Sequence, residues 1–357
     1  MLRVQGHHEE DIEDLERQQF ASEQEQEPEA DTSLRQTDEE FLWMLLLAAV
    51  SECVTTCFMP DYTLRSWGLN LGGTALNWIG PFLDGLTYGY EERIKGADVS
   101  LACVQFRSAF LGVFTSYSFM ADHAGDLCGS SFAAGPVYVC ASILGGCGCF
   151  YLGKQAVAVM WTNPITVRVS QAVNRMENKP SLVTISVAFV GVTTLIAALG
   201  PHGFVRDPND PQFIGPLQVA DGEELVLGIL MSCSAVLLSN YVCAFFPLEP
   251  PQLRYAASSN GGPFIDWGCL CCNFLASVLA GSAYQLSRIS PTELTNNLLT
   301  LKFVSSFCGS LSVFSGAVSI VSRLWLAGNR YSALWNLALQ LLVGLLVMPY
   351  LYKHDAI

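Results

Sequence analysis

The sequence predicts an all-α polytopic membrane protein, and three observations predict it. Hydrophobic residues make up 51% of the 357 and charged residues only 14%, against roughly 25% charged in a soluble domain. The charge is also unevenly spread: residues 1–40 hold 17 charged side chains (14 Asp/Glu and 3 Arg), which leaves 33 for the other 317 residues. Those other residues break into stretches of about 20 mostly apolar positions, the length that crosses a bilayer core. This excludes an ordinary soluble enzyme of two domains. A net charge of −14 with no basic patch excludes a nucleic-acid binder.

Residues 1–40, rich in Glu, Gln and Asp, read as a disordered acidic tail. They lack the apolar core of a secretory signal. Nine helices follow, over 41–60, 71–90, 101–121, 132–153, 181–200, 224–246, 264–286, 298–326 and 331–352. With the N-terminus cytosolic, 13 of the 18 Lys and Arg fall inside, among them Arg93, Arg107, Lys154, Arg323 and Arg330. That is the bias expected of cytoplasmic loops, and nine spans then place the C-terminus outside. Of 13 cysteines all but Cys128 lie in apolar runs, which is not a disulfide framework. Cys147/Cys149 and Cys269/Cys271/Cys272 lack a second ligand pair and nearby His, and read as small residues packing helix on helix.

Two pairs of helices repeat. Gly72, Asn77, Gly80 and Gly85 match Gly268, Asn273, Ala276 and Gly281 in the second and seventh helices. In the third and eighth, Gly112, Thr115, Tyr117 and Ser118 match Gly309, Ser312, Phe314 and Ser315. The offset is 196 residues at the Asn and 197 at the latter four pairs, and a near-constant offset across two helices marks an internal repeat. Each repeat is four helices (41–153 and 224–352), joined by a linker, 154–223, whose one helix is 181–200. Four helices plus one is odd, so the second repeat enters the membrane upside down. Two inverted four-helix repeats of this kind place a substrate path near the midplane, at the interface between them.

An Asn in the middle of a lipid-spanning helix is costly unless its amide is satisfied. Two at equivalent positions of inverted halves point to function as well as to interhelical bonding. The amide NH₂ offers two donors and no charge. The pattern Gly-x-x-Thr/Ser followed by aromatic-Ser allows a broken helix whose freed carbonyls can hold a small cation. A ring edge carries partial positive charge and can face an anion. Together these suit a small, strongly hydrated anion. Arg65 and Arg254 precede the two Asn helices and can draw anions into a vestibule or anchor at the headgroups. Tyr138 and Ser142 share one helix face. Asp84 and Asp266 read as interfacial, and Glu52 as the one carboxylate deep inside a span.

These residues resemble the CrcB/Fluc fluoride channel family, in its fused eukaryotic FEX form. The resemblance rests on the family's second-helix G-T-x-x-x-N-x-x-G pattern, whose Gly, Asn and Gly positions Gly72, Asn77 and Gly80 match, and on Ser306-Phe307-Cys308-Gly309-Ser310-Leu311-Ser312, with Gly112 to Ser118 in the first half. It covers 41–352 through the four-plus-one-plus-four layout. It implies a passive fluoride channel at the plasma membrane, working as a single chain and protecting the cell. It further implies fluoride paths lined by Asn77, Asn273, Tyr117, Phe314, Ser116, Ser118, Ser315, Tyr138 and Ser142. By the same match, carbonyls at Gly112, Thr115, Gly309 and Ser312 hold a structural sodium ion. The sequence departs from the pattern at the second pore phenylalanine, which falls on Met120 and Ala317, and at Val313. In the second half Tyr331 stands for Tyr138, and Trp335 replaces the hydroxyl of Ser142. These departures favour the first-half path. Two other classes stay open on the residues: a secondary transporter of small solutes, and a non-conducting membrane scaffold.

Overall fold

The computed structural model describes residues 38–58, 63–64, 69–93, 103–162, 222–246, 263–289, 299 and 302–351. The tail and the expected helix 181–200 lie outside the described residues, as do Arg65 and Arg254. The described residues are mainly helical; among them β1 (Thr63–Leu64) and β2 (Leu69–Asn70) form a two-residue antiparallel pairing. Among the described residues five helical spans are long and apolar enough to cross a membrane.

The elements are α1 (Asp38–Phe58) and α2 (Leu71–Glu91), then a π-helical turn, Phe106–Leu111, running into α3 (Gly112–Phe114). After a break come α4 (Tyr117–Ser130) and α5 (Ala134–Met160). The second set is α6 (Gly222–Phe245), α7 (Trp267–Ile289), a π-helical turn (Phe303–Cys308), α8 (Gly309–Leu311), α9 (Phe314–Leu326) and α10 (Arg330–Leu351). The expected third helix therefore does not run unbroken to 121. It breaks at Thr115–Ser116 and continues to Ser130, which moves the fourth to 134–160.

Helices α2 and α5 run parallel and very close. Thr74 meets Tyr138 near their starts, and Gly89 meets Val157 near their ends. The repeat glycine Gly85 is explained here, because a Cβ would collide with the Phe150 carbonyl. Gly153 faces the Phe82 carbonyl in the same way. Two backbones touch without side chains between them, as at other membrane helix contacts. Gly153→Leu should separate the pair. We expect loss of the monodisperse peak on size exclusion, and an unchanged peak would contradict this packing. Helices α7 and α10 also run parallel, joined by Ser332 and Asn336 near their starts and by Asn273–Gln340 further along.

Candidate functional site

Two broken helices cross at the centre. Thr115 (φ −119°, ψ 145°) and Ser116 (φ −134°, ψ 119°) are extended, as is Ser312 (φ −88°, ψ 113°). A break strands backbone groups that lipid cannot satisfy. The stranded groups are paired reciprocally across the crossing. Ser118 N donates to Ser312 Oγ (3.0 Å), and Ser315 N donates to Thr115 Oγ1 (3.0 Å). Ser118 Oγ donates to the Cys308 carbonyl (3.2 Å), and Ser315 Oγ to the Leu111 carbonyl (3.3 Å). Both bonds of each pair are related by 197 residues at donor and acceptor. The hydroxyls of Ser118 and Ser315, expected on an ion path, are thus committed to the crossing.

The two Asn hold the breaks open. Asn77 Oδ1 accepts from Ser116 N (2.9 Å), and Asn273 Oδ1 accepts from Val313 N (2.7 Å). Each bond replaces the ladder bond that would end on the carbonyl of Gly112 or Gly309. Those are the glycines that the resemblance assigned to a cation. Ser312 Oγ turns to the Gly309 carbonyl (3.0 Å), and Thr115 Oγ1 to that of Leu111 (2.8 Å). The centre is therefore a set of neutral oxygens, the donor type a hard monovalent cation takes.

The other amide atoms differ between halves. Asn77 Nδ2 donates to the Ser116 carbonyl (2.9 Å), which leaves its second hydrogen uncommitted among the described residues. Asn273 Nδ2 donates to Gln340 Oε1 (3.0 Å) and faces Cys269 Sγ (3.7 Å), so both hydrogens are engaged.

Around Asn77 the structure assembles Thr74, whose hydroxyl bonds Tyr138 (2.8 Å), with Ser142 one turn further along α5. Phe314, fully buried, packs on Gly146 of that helix. Three further residues escaped the sequence reading: Thr74, Phe119 and His123. The Phe119 ring lies over Gly73 and stacks on His123 (6.4 Å), which meets Tyr138 edge-on (5.0 Å). A ring thus stands beside the buried Met120, one position from where the family pattern has its second phenylalanine. At the matching place the second half has Gly316 near Cys269.

Around Asn273 the expected lining is corrected. Tyr331 and Trp335 are 57% and 43% exposed and turn away from the bundle, whereas Ser332, Asn336 and Gln340 are 1%, 5% and 4% exposed. Spaced by four, these three form an inward polar row on α10. Asn336 Nδ2 donates to the Phe264 carbonyl (2.7 Å), and Ser332 Oγ accepts from Phe264 N (2.9 Å). Tyr117, fully buried, donates from its hydroxyl to the Gln340 carbonyl. The second half is lined by amides, not by Val and Trp alone.

Comparison with family models, with curated proteins and with solved structures returns no match.

Two carboxylates complete the picture. Glu52 is buried and accepts from Ser232 Oγ (2.6 Å) and Ser306 Oγ (2.7 Å), tying α1 to the second set of helices. Asp84 is also buried among the helices, beside Arg107 and Arg323. Both arginines come from other elements, Arg107 from the first π-helical turn and Arg323 from the last turn of α9. Asp266 does lie at a helix start, where its Oδ1 caps Cys269 N of α7 (2.8 Å).

Proposed function

We propose that this chain is a passive fluoride channel of the plasma membrane, built from two inverted four-helix repeats joined by the helix 181–200. The observation that carries the reading is the pair of Asn-held helix breaks, with hydroxyls exchanged reciprocally between them. Such a crossing places partly satisfied amides and ring edges beside a polar midplane, where a small anion can shed part of its water. Supporting the inversion, α2 and α5 end where α9 ends and α10 begins. Supporting a cytosolic N-terminus, Arg93, Arg107, Lys154 and Arg323 gather at that shared end. We assign the backbone carbonyls of Gly112, Thr115, Gly309 and Ser312 to a structural sodium ion, which would pin the crossing.

In the path we assign to the first half, Asn77 offers its uncommitted N–H to the anion. Phe119 and Phe314 offer ring edges, and the Thr74–Tyr138–Ser142 row passes the ion along by hydroxyl donors. Hydrogen fluoride that enters neutral ionises in a more alkaline cytosol, and the anion leaves down its own gradient. The test is efflux from liposomes holding the purified chain. Fluoride should leave and chloride should stay; efflux of both anions, or of neither, overturns the reading.

A further inference from the structure

The cluster around Asp84 is left unexplained by the ion path. Asp84 lies late in α2 and is 1% exposed. Its contacts fall on one oxygen, Oδ1: Thr87 Oγ1 at 3.4 Å, Arg323 Nη2 at 3.4 Å and Arg107 Nε at 4.0 Å. Arg107 precedes the first helix break, and Arg323 sits in the last turn of α9, so one carboxylate faces a guanidinium from each set of helices. Neither pairing is the short, two-pronged bond that Arg and carboxylate form at their strongest. Arg107 keeps its close bond for Glu91 (2.7 Å). Arg323 lies over the Tyr88 ring (4.6 Å), which Lys154 shares (4.9 Å).

Two guanidiniums that converge loosely on one oxygen make a place an anion can occupy. We infer that Asp84 is a selectivity residue, a tethered counter-ion that fills an anion site between Arg107 and Arg323 and keeps free anions out of it. The inference rests on the channel reading only for its effect on transport. Without the carboxylate, two largely buried cations would face each other with the Glu91 carboxylate on Arg107, and a mobile anion between them would offset part of their desolvation. A guanidinium is itself weakly hydrated. Such a pair takes chloride or nitrate, which part with water easily, in preference to fluoride. An ion held there would obstruct the mouth that fluoride must enter. The device exists at one end only. At offsets of 196–197 the counterparts of Asp84 and Arg107 are Ala280 and Val304, and the counterpart of Tyr88, Tyr284, bonds Asp122 (3.2 Å).

The test compares the wild-type chain, Asp84→Asn and Asp84→Glu in chloride and in gluconate at equal ionic strength. Thermal unfolding of the purified protein reports binding directly. Asp84→Asn should gain a saturable chloride-dependent rise in Tm of about 2–4 °C, while wild type and Asp84→Glu gain none. Adding Arg323→Gln to Asp84→Asn should remove the gain. In liposomes, chloride should inhibit fluoride efflux through Asp84→Asn at least about tenfold more strongly than through wild type. Equal chloride response in wild type and Asp84→Asn overturns the inference. Should Asp84→Asn be recovered only in chloride, that supports it; loss in both salts overturns it. A wild-type chain that moves no fluoride sinks the channel reading, and the unfolding measurements still decide the anion site.

Discussion

Asn77→Asp should abolish fluoride efflux, while Asn273→Asp should leave a measurable fraction of it. The difference follows from what each amide nitrogen faces. Asn77 Nδ2 points at the Ser116 carbonyl, a backbone oxygen fixed by the helix break. A carboxylate oxygen placed there meets another oxygen that cannot turn, and its charge opposes the anion. Asn273 Nδ2 points at Gln340 Oε1, a side-chain amide that can rotate and offer its NH₂ instead. A lost hydrogen bond to a charged group costs about 1.5–3 kcal/mol, or roughly tenfold to a hundredfold in rate if it acts at the barrier. Adding like charge places Asn77→Asp at or beyond the upper end. The measurement is efflux per reconstituted protein, with size exclusion confirming equal folding. If Asn273→Asp kills efflux and Asn77→Asp conducts near normally, the second path is the live one.

Thr115→Val and Ser312→Ala should each lower thermal stability, by similar amounts. Thr115 Oγ1 receives Ser315 N and Ser312 Oγ receives Ser118 N, both within the buried first turn of a half-helix. Removing the hydroxyl leaves a buried N–H without its acceptor, at about 1–3 kcal/mol. At about 2–4 °C per kcal/mol for a domain of 150–250 residues, each variant should unfold several degrees lower. Ser234→Ala, at an exposed hydroxyl bonded within its own helix, serves as control and should shift little. Two variants that match the control would remove the reciprocal crossing from the account.

Much of this arrangement was legible because the features that announce it are rare in a membrane span. Asn77 and Asn273 stand out in apolar helices, and Gly-x-x-Thr followed by an aromatic and Ser marks the break. Those local signals led to the crossing, where Thr115 and Ser312 do meet their partners. They did not show that Ser118 and Ser315 spend their hydroxyls on carbonyls of the opposite broken helix, since those bonds join residues 190 and 204 apart. The partners of Asp84 were hidden for the same reason. Nothing near it in the chain neutralises it, and its arginines arrive from positions 107 and 323.

What the sequence determined by itself was the membrane class, the repeat and the two Asn, because apolar length, a constant offset and a buried amide are each read along the chain. What only the tertiary structure decided was the rotation of each helix about its own axis. In α10 the choice lay between Tyr331–Trp335 and Ser332–Asn336–Gln340 as the inward face, and the second is buried. A helix in water betrays its inner face by contrast with a polar outer one. In lipid the outer face is as apolar as the core, so that contrast disappears. Only packing against Asn273 and Phe264 settles which residues turn inward.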